Sequence, residues 1–315
     1  MTLTFGELFA GVGGFGMGFE QAGYEPVFQV EWDKNCQKVL RRHWPTVPKW
    51  EDVCDVDGAD LPPCDVLIFG SPCQDLSVAG KRGGLTGDRS VMFYEATRII
   101  QEMRNATHFI YPRVVVWENV PGAVTSNNGA DFGQVLDTLA NVGAVDIQWA
   151  VLDAAQFGVP QKRRRIFVVA IFDPTAAARS TSPVLPVAEG SRRDIEKSRK
   201  AAETIPASGV RSSENMGETE IIYSFDTQFG SNAAIFENLI PTLKSSQQAP
   251  SIVTDGLIRR LTSLECERAM GWPDNHTKWT ADGDEQVETT RLAQCGNGVA
   301  TPVAAWVAKN IKAIL

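Results

Sequence analysis

Apolar residues along the chain fall into short continuous runs separated by stretches in which they recur every three or four positions. The runs LTFGELF (3–9), PVFQV (26–30), CDVLIFG (64–70), PRVVVWENV (112–120), IQWAVLD (147–153) and RRIFVVAIF (164–172) have the length and β-branched content of buried strands. Helical spacing occupies the residues between Gly14 and Gly23, then KNCQKVLRRHW (34–44), VMFYEATRIIQEMR (91–104) and GQVLDTLANV (133–142). Strands alternating with helices predict an α/β fold with a doubly wound, mostly parallel sheet. The regularity stops near Pro174, and residues 174–258 are rich in Ser, Ala, Pro and Thr with little periodicity. Order returns in RRLTSLECERAMGWP (259–273) and in a last helix over 302–314. The organisation predicted is a first domain over 1–173, a small irregular second domain over 174–258, and a C-terminal piece, 259–315, that completes the first.

Composition narrows the classes. With 43% hydrophobic and 22% charged residues in 315, the chain is an ordinary globular one. It has no apolar run long enough to span a membrane and no secretory leader pattern, so a cytoplasmic location is expected. Six cysteines and three histidines show no metal-ligand spacing, and no metal is expected. The net charge of −8 argues against a nucleic-acid partner. Against it stand two local cationic runs, QKRRR at 161–165 and RRDIEKSRK at 192–200.

Several strand ends carry chemistry. FAGVGGFG places Gly11, Gly13 and Gly14 between the first strand and its helix, where a backbone turn can approach a nucleotide. Glu31 closes the second strand about 20 residues later, the place from which an acid accepts ribose hydroxyls, and Trp32 beside it is placed to pack on an adenine. These residues do not separate a dinucleotide from another adenosine-bearing cofactor. CDVLIFG runs into Pro72, which ends the strand and delivers Cys73 at the lip of the sheet. WENV brings Glu118 to the same kind of edge, and period two sets Arg163 and Arg165 on one face. A thiolate, a carboxylic acid and guanidinium groups suit nucleophilic addition to an electron-poor ring, with the acid protonating a ring nitrogen.

In order along the chain, FAGVGGF, EWD, EDV, GSPCQDLS, DRSVMFYE, ENV, GVPQKRRRIF, RRLTSLECERAMGWP and GNGVATPV resemble the motifs of the cytosine-C5 DNA methyltransferases. The resemblance covers about 1–172 and 259–315. It implies a class I, Rossmann-like methyltransferase domain that uses S-adenosylmethionine on a flipped cytosine in double-stranded DNA. It further implies Cys73 as the nucleophile on C6, Glu118 as the acid at N3 and the 4-amino group, and Arg165 at O2 with Arg163 assisting. Pro72 and Asn119 shape the pocket. Phe9, Gly11, Gly13, Gly14, Glu31, Trp32, Asp52, Val53, Pro72, Asn297 and Val299 take the cofactor positions, Asp52 toward the adenine amino group. Residues 75–92 resemble the loop that closes over the base, and 174–258 becomes a target-recognition domain. Gly298 stands where many relatives carry Ser. The resemblance also implies a monomer, with a separately acting restriction endonuclease as a possible partner. A transfer-RNA cytosine methyltransferase and a catalytically silent DNA-binding relative are the competing readings. The separate recognition segment opposes the first, and intact Cys73, Glu118, Arg163 and Arg165 oppose the second.

Overall fold

A computed structural model describes residues 2–71, 91–180, 183–185, 222–226, 234–245, 248–254 and 257–315. Cys73, Pro72, most of the expected closing loop and much of the expected recognition segment lie outside these residues.

Seven strands form the main sheet: β1 (Thr4–Leu8), β2 (Glu25–Val30), β3 (Lys49–Trp50), β4 (Val66–Phe69), β5 (Val114–Asn119), β6 (Asp146–Asp153) and β7 (Arg164–Ile171), in the order β3-β2-β1-β4-β5-β7-β6. The order reverses at β1, between β2 on one side and β4 on the other, and such switch points open a crevice at the carboxyl ends of the strands. β4 and β5 are buried along their whole length, as expected for strands covered on both faces. The sheet is parallel except for β7, which runs antiparallel to both β5 and β6. That reversal has a consequence for function: the start of β7, not its end, lies beside the carboxyl end of β5, with Asn119 paired to Ile166.

α1 (Gly14–Gln21), α2 (Lys34–His43), α3 (Val91–Ala106), the short α4 (Gly122–Thr125), α5 (Ala130–Asn141) and α6 (Pro174–Arg179) follow in chain order, then α7 (Ser263–Ala269), α8 (Glu288–Asn297) and α9 (Thr301–Lys312). α9 packs on α1 at close range. A Cβ on Gly18 would lie 2.5 Å from the Ala304 methyl, so a glycine there lets the two backbones approach. Tyr24 Oη donates to Ala308 O at 3.2 Å and Thr301 Oγ1 to Gly14 O at 2.9 Å, sealing the two chain ends into one unit.

A second, four-stranded antiparallel sheet, β11-β10-β8-β9, comprises β8 (Tyr223–Phe225), β9 (Ile235–Glu237), β10 (Ser251–Thr254) and β11 (Leu257–Arg260). Its last strand runs past 258, and α6 with Val184 and Leu185 packs into the core of the main sheet. Residues 258 and 259 both lie in β11, and α6 begins at Pro174.

Candidate active site

The glycine turn follows β1. Phe9 takes φ 54°, a left-handed conformation uncommon for a non-glycine residue, and turns the chain out of the sheet. Gly11 at φ 56° then presents its N–H to Glu31 Oε2 at 2.6 Å, while Asp33 N–H donates to Glu31 Oε1 at 2.7 Å. Both carboxylate oxygens are thereby fixed at the end of β2, each with a lone pair left for a further donor. Burial raises the Glu31 pKa above the ordinary carboxylate value, and the two amide hydrogen bonds oppose the shift. The three glycines have separate tasks. An added Cβ at Gly11 would meet open space, whereas at Gly13 it would lie 2.4 Å from the Trp44 ring and at Gly14 2.8 Å from Val299 O. Gly11 thus borders open space, and Gly13 and Gly14 let the Trp44 ring and the C-terminal segment close over the turn. Trp32 is 71% exposed, so its indole face is free beside Glu31.

Asp52 caps the short turn after β3, its carboxylate accepting Cys54 N–H at 2.9 Å. Val53, next in the chain, is buried, and its carbonyl accepts from Arg98 at 2.9 Å. At the far end of the chain Asn297 is exposed at the close of α8. Val299 is buried and accepts Trp272 Nε1–H at 3.1 Å through its carbonyl. His276, buried, contacts the turn through a 2.7 Å hydrogen bond to Val12 O and stacks on His43 with ring centroids 4.2 Å apart. Burial and the neighbouring His43 push its pKa down to about 4. It is therefore neutral near pH 7 and donates to that carbonyl.

The other half of the edge belongs to β4, β5 and β7. Trp117 Nε1 donates to Ser71 Oγ at 2.9 Å and Asn119 Nδ2 to Ser71 O at 3.4 Å, so β5 holds the point at which the chain departs toward Pro72 and Cys73. A Cβ on Gly70 would stand 3.2 Å from Glu118 Oε2, which puts the Glu118 carboxyl against the end of β4. Glu118 is buried and ion-paired with Arg165 Nε at 3.1 Å. Burial raises its pKa, and the charges of Arg165 and Arg163 pull it back. Arg163 does not reach into the edge as Arg165 does. It is buried and donates to the carbonyls of Leu243 at 3.2 Å, Gly296 at 3.0 Å and Gly298 at 2.6 Å. Those contacts fasten the second unit and the C-terminal segment to β7. Arg163, expected as a catalytic helper, anchors these segments, and its charge also acts on Glu118.

The sequence reading passed over Ser71, Trp272 and His276. Ser71 had a signal, as the residue between the strand and Pro72. Trp272 and His276 had none, since their partners lie 27 and 264 residues away.

Fold and edge together give an α/β sheet with a carboxyl fixed beside a glycine turn on one half of its edge and a buried acid–arginine pair on the other. Comparison with known proteins assigns that arrangement to a family. The model of the C-5 cytosine-specific DNA methylase family matches residues 3–313, and the chain belongs to that family. Among relatives, the type II methyltransferase M.Bsp6I of Bacillus sp. (strain RFL6) is 31% identical over 324 residues, covering 98% of each chain. M.NgoBI of Neisseria gonorrhoeae is 30% identical over 302 residues, covering 94% of this chain and 89% of its own. A DNA modification methyltransferase encoded in an E. coli prophage shares the fold at TM-score 0.63 with 19% identity, covering 99% of each chain. The S. pombe Dnmt2 methyltransferase does so at TM-score 0.63 with 16% identity, covering 98% of each chain.

The enzyme transfers a methyl group from S-adenosylmethionine to C5 of cytosine in DNA. The residues present fit that cofactor. Fixed Glu31 oxygens match a ribose diol, the open Trp32 face matches an adenine, and the open space over Gly11 leaves room beside the turn.

Proposed function

We propose that the enzyme methylates a flipped cytosine within a specific duplex site through a covalent bond between Cys73 Sγ and C6, with Glu118 as the acid. The observation that carries this is the Glu118 carboxyl: buried, raised in pKa, paired with Arg165, and set against Gly70, two residues before Pro72 and three before Cys73. A carboxyl so placed can hold a proton for N3 of a pyrimidine while Arg165 fixes its orientation and faces O2. The Cys73 thiolate adds to C6 as Glu118 passes its proton to N3, and the electron pair gathers at C5. The cofactor supplies an electrophilic methyl on a sulfonium centre. Once C5 carries that methyl, its proton leaves to solvent, the S–C6 bond breaks and Glu118 recovers its proton from N3. Asn119 and Pro72 border the base. Phe9, Gly11, Glu31, Trp32, Asp52, the Val53 backbone, Asn297 and Val299 border the cofactor, with Glu31 on the ribose and Asp52 toward the adenine amino group.

Reading of the DNA sequence falls to the second unit, built around 174–258, because every residue assigned to chemistry or cofactor lies outside it. Among the described residues no helix is long and apolar enough to cross a membrane. A monomer acting in the cytoplasm is the state that suits a duplex-modifying enzyme, and the type II names of the relatives suit a restriction endonuclease acting separately on the same site.

Incubation with methyl-labelled S-adenosylmethionine and either plasmid DNA or transfer RNA, followed by digestion to nucleosides, tests the reading. The label is expected in 5-methyldeoxycytidine from DNA, and Cys73→Ser is expected to abolish it while the chain still folds and binds cofactor. Label in RNA alone, or near-normal turnover by the serine variant, contradicts it.

A further inference from the structure

The cationic run QKRRR is divided by the alternation of an extended chain. Gln161 and Arg163 turn inward and are buried, while Lys162 and Arg164 turn outward and are exposed. The two outward residues line a cleft of about 410 Å³ together with Arg165 and with Phe236 of the small sheet. Phe236 and Pro121 form apolar walls, and Lys162 Nζ sits 5.7 Å from the centroid of the Phe236 ring. The cleft is held in shape at its hinge: Lys162 N–H donates to Ile240 O at 2.9 Å, Ile240 N–H to Pro160 O at 2.7 Å, and Thr242 Oγ1 to Lys162 O at 2.5 Å.

Four cations line this cleft against one acid, Asp226, in a chain whose net charge is −8. Arg165 is committed to Glu118 and Lys244 to Asp226 at 2.6 Å. Among the described residues no carboxylate forms an ion pair with Lys162 or Arg164. Their charges project into a concave space with apolar walls, which strengthens the field that an anion there experiences. Among the described residues, then, two cations at this place have no carboxylate partner, an arrangement that suits an anionic ligand.

We propose that Lys162 and Arg164 hold backbone phosphates of the target strand next to the cytosine that enters the Glu118–Arg165 edge. Their part is to position the strand. This inference rests on the reading of that edge as the cytosine site. It places the strand in the cleft between the two units, with one cation on either side of the fixed Arg163 anchor. Because phosphates carry no base identity, these contacts set register and not sequence preference.

The test uses the full chain with Lys162→Gln, Arg164→Gln and the double variant, and Lys309→Gln on the exposed face of α9 as a charge control. Affinity for a fluorescent unmethylated plasmid fragment is measured between about 50 and 200 mM salt, alongside methyl transfer to plasmid DNA. Each single variant is expected to reduce the slope of log affinity against log salt by about 0.9, and the double variant by about 1.8. KM for DNA is expected to rise roughly tenfold in the double variant at about 150 mM salt, with turnover at saturating DNA and cofactor affinity within about twofold. Lys309→Gln is expected to leave the slope unchanged. A double variant with the original slope and KM overturns the proposal, as does an equal loss of slope in Lys309→Gln, which would trace the effect to net charge. The readout is equilibrium binding, so it decides the phosphate contacts whether or not Cys73 proves to be the nucleophile.

Discussion

Glu31 and Glu118 are both carboxyls at carboxyl ends of parallel strands, yet their surroundings give them different work. Glu31 is locked by two backbone N–H groups and keeps acceptor capacity toward the cleft. Glu118 has one strong partner, Arg165, and a burial that favours its protonated form. Replacing Glu31 by Ala removes a charged acceptor and frees the Gly11 amide. Cofactor binding is therefore expected to weaken by about 1.5–3 kcal/mol, with turnover at saturation little changed. Glu118→Gln keeps the shape but cannot pass a proton to N3, and is expected to slow turnover by about 10²–10⁴-fold while cofactor affinity holds. Calorimetric titration together with steady-state rates reads both, and the reverse pattern contradicts the assignment. Both acids were legible in the sequence because each ends an apolar run, and a strand end fixes where a side chain emerges. Arg163 was legible only in part. Period two placed it on the face of Arg165, but its three carbonyl partners come from Leu243, Gly296 and Gly298, which no local pattern joins to it.

At the scale of elements, the parallel order was readable and the direction of β7 was not. VVVW and RRIFVVAI are both wholly apolar after their first residues, and a strand buried on both faces has the same composition in either direction. β1 carries a further feature that its pattern disguises. Glu7 sits among apolar neighbours, buried, with Oε1 accepting Gly16 N–H from the first turn of α1 at 3.1 Å. Burial pushes its pKa up to about 8, so in the folded protein near neutrality it is a protonated acid tying β1 to the helix that follows the cofactor turn. An unfolded Glu releases its proton near pH 4.3, about four units lower. The native state thus binds the extra proton between those values. The stability that Glu7 confers is full below the ordinary carboxylate range and is lost as pH rises toward about 8, by about 1.4 kcal/mol per pH unit. His276 runs the other way, its contribution present above about pH 6.5 and lost toward about 4. It is common to any pair of chains differing only at Glu7. Urea unfolding of wild type and Glu7→Gln at pH 5.5, 6.5 and 8 is expected to show the variant gaining on the wild type as pH rises. Parallel profiles would mean that Glu7 is ionised in the fold.

Across the whole molecule, the two ends of the chain close on each other through α1 and α9, so the cofactor turn and the Gly298–Val299 turn form one wall although they stand nearly 300 residues apart. The second unit is inserted between them and fastened through Arg163 and the Lys162–Ile240 hydrogen bond, which sets a cationic cleft against the catalytic edge of an acidic protein. Net charge misled at the sequence level for that reason: binding to a polyanion depends on the few cations at the cleft, whereas the sum over the chain counts every exposed acid. The two halves of the proposed site meet at the end of β4, four residues before Cys73. The decisive measurement is therefore made on that thiol. A duplex copied with 5-fluorodeoxycytidine triphosphate carries fluorine where the C5 proton must leave, so an adduct at C6 that has received its methyl cannot eliminate. Incubated with this duplex and S-adenosylmethionine, the enzyme is expected to form a complex stable to denaturation, with the nucleotide mapped by mass spectrometry to the peptide containing Cys73 and with Cys73→Ser forming none. A stable complex on any other residue, or methyl transfer to ordinary DNA with no adduct on the fluorinated duplex, contradicts covalent catalysis by Cys73.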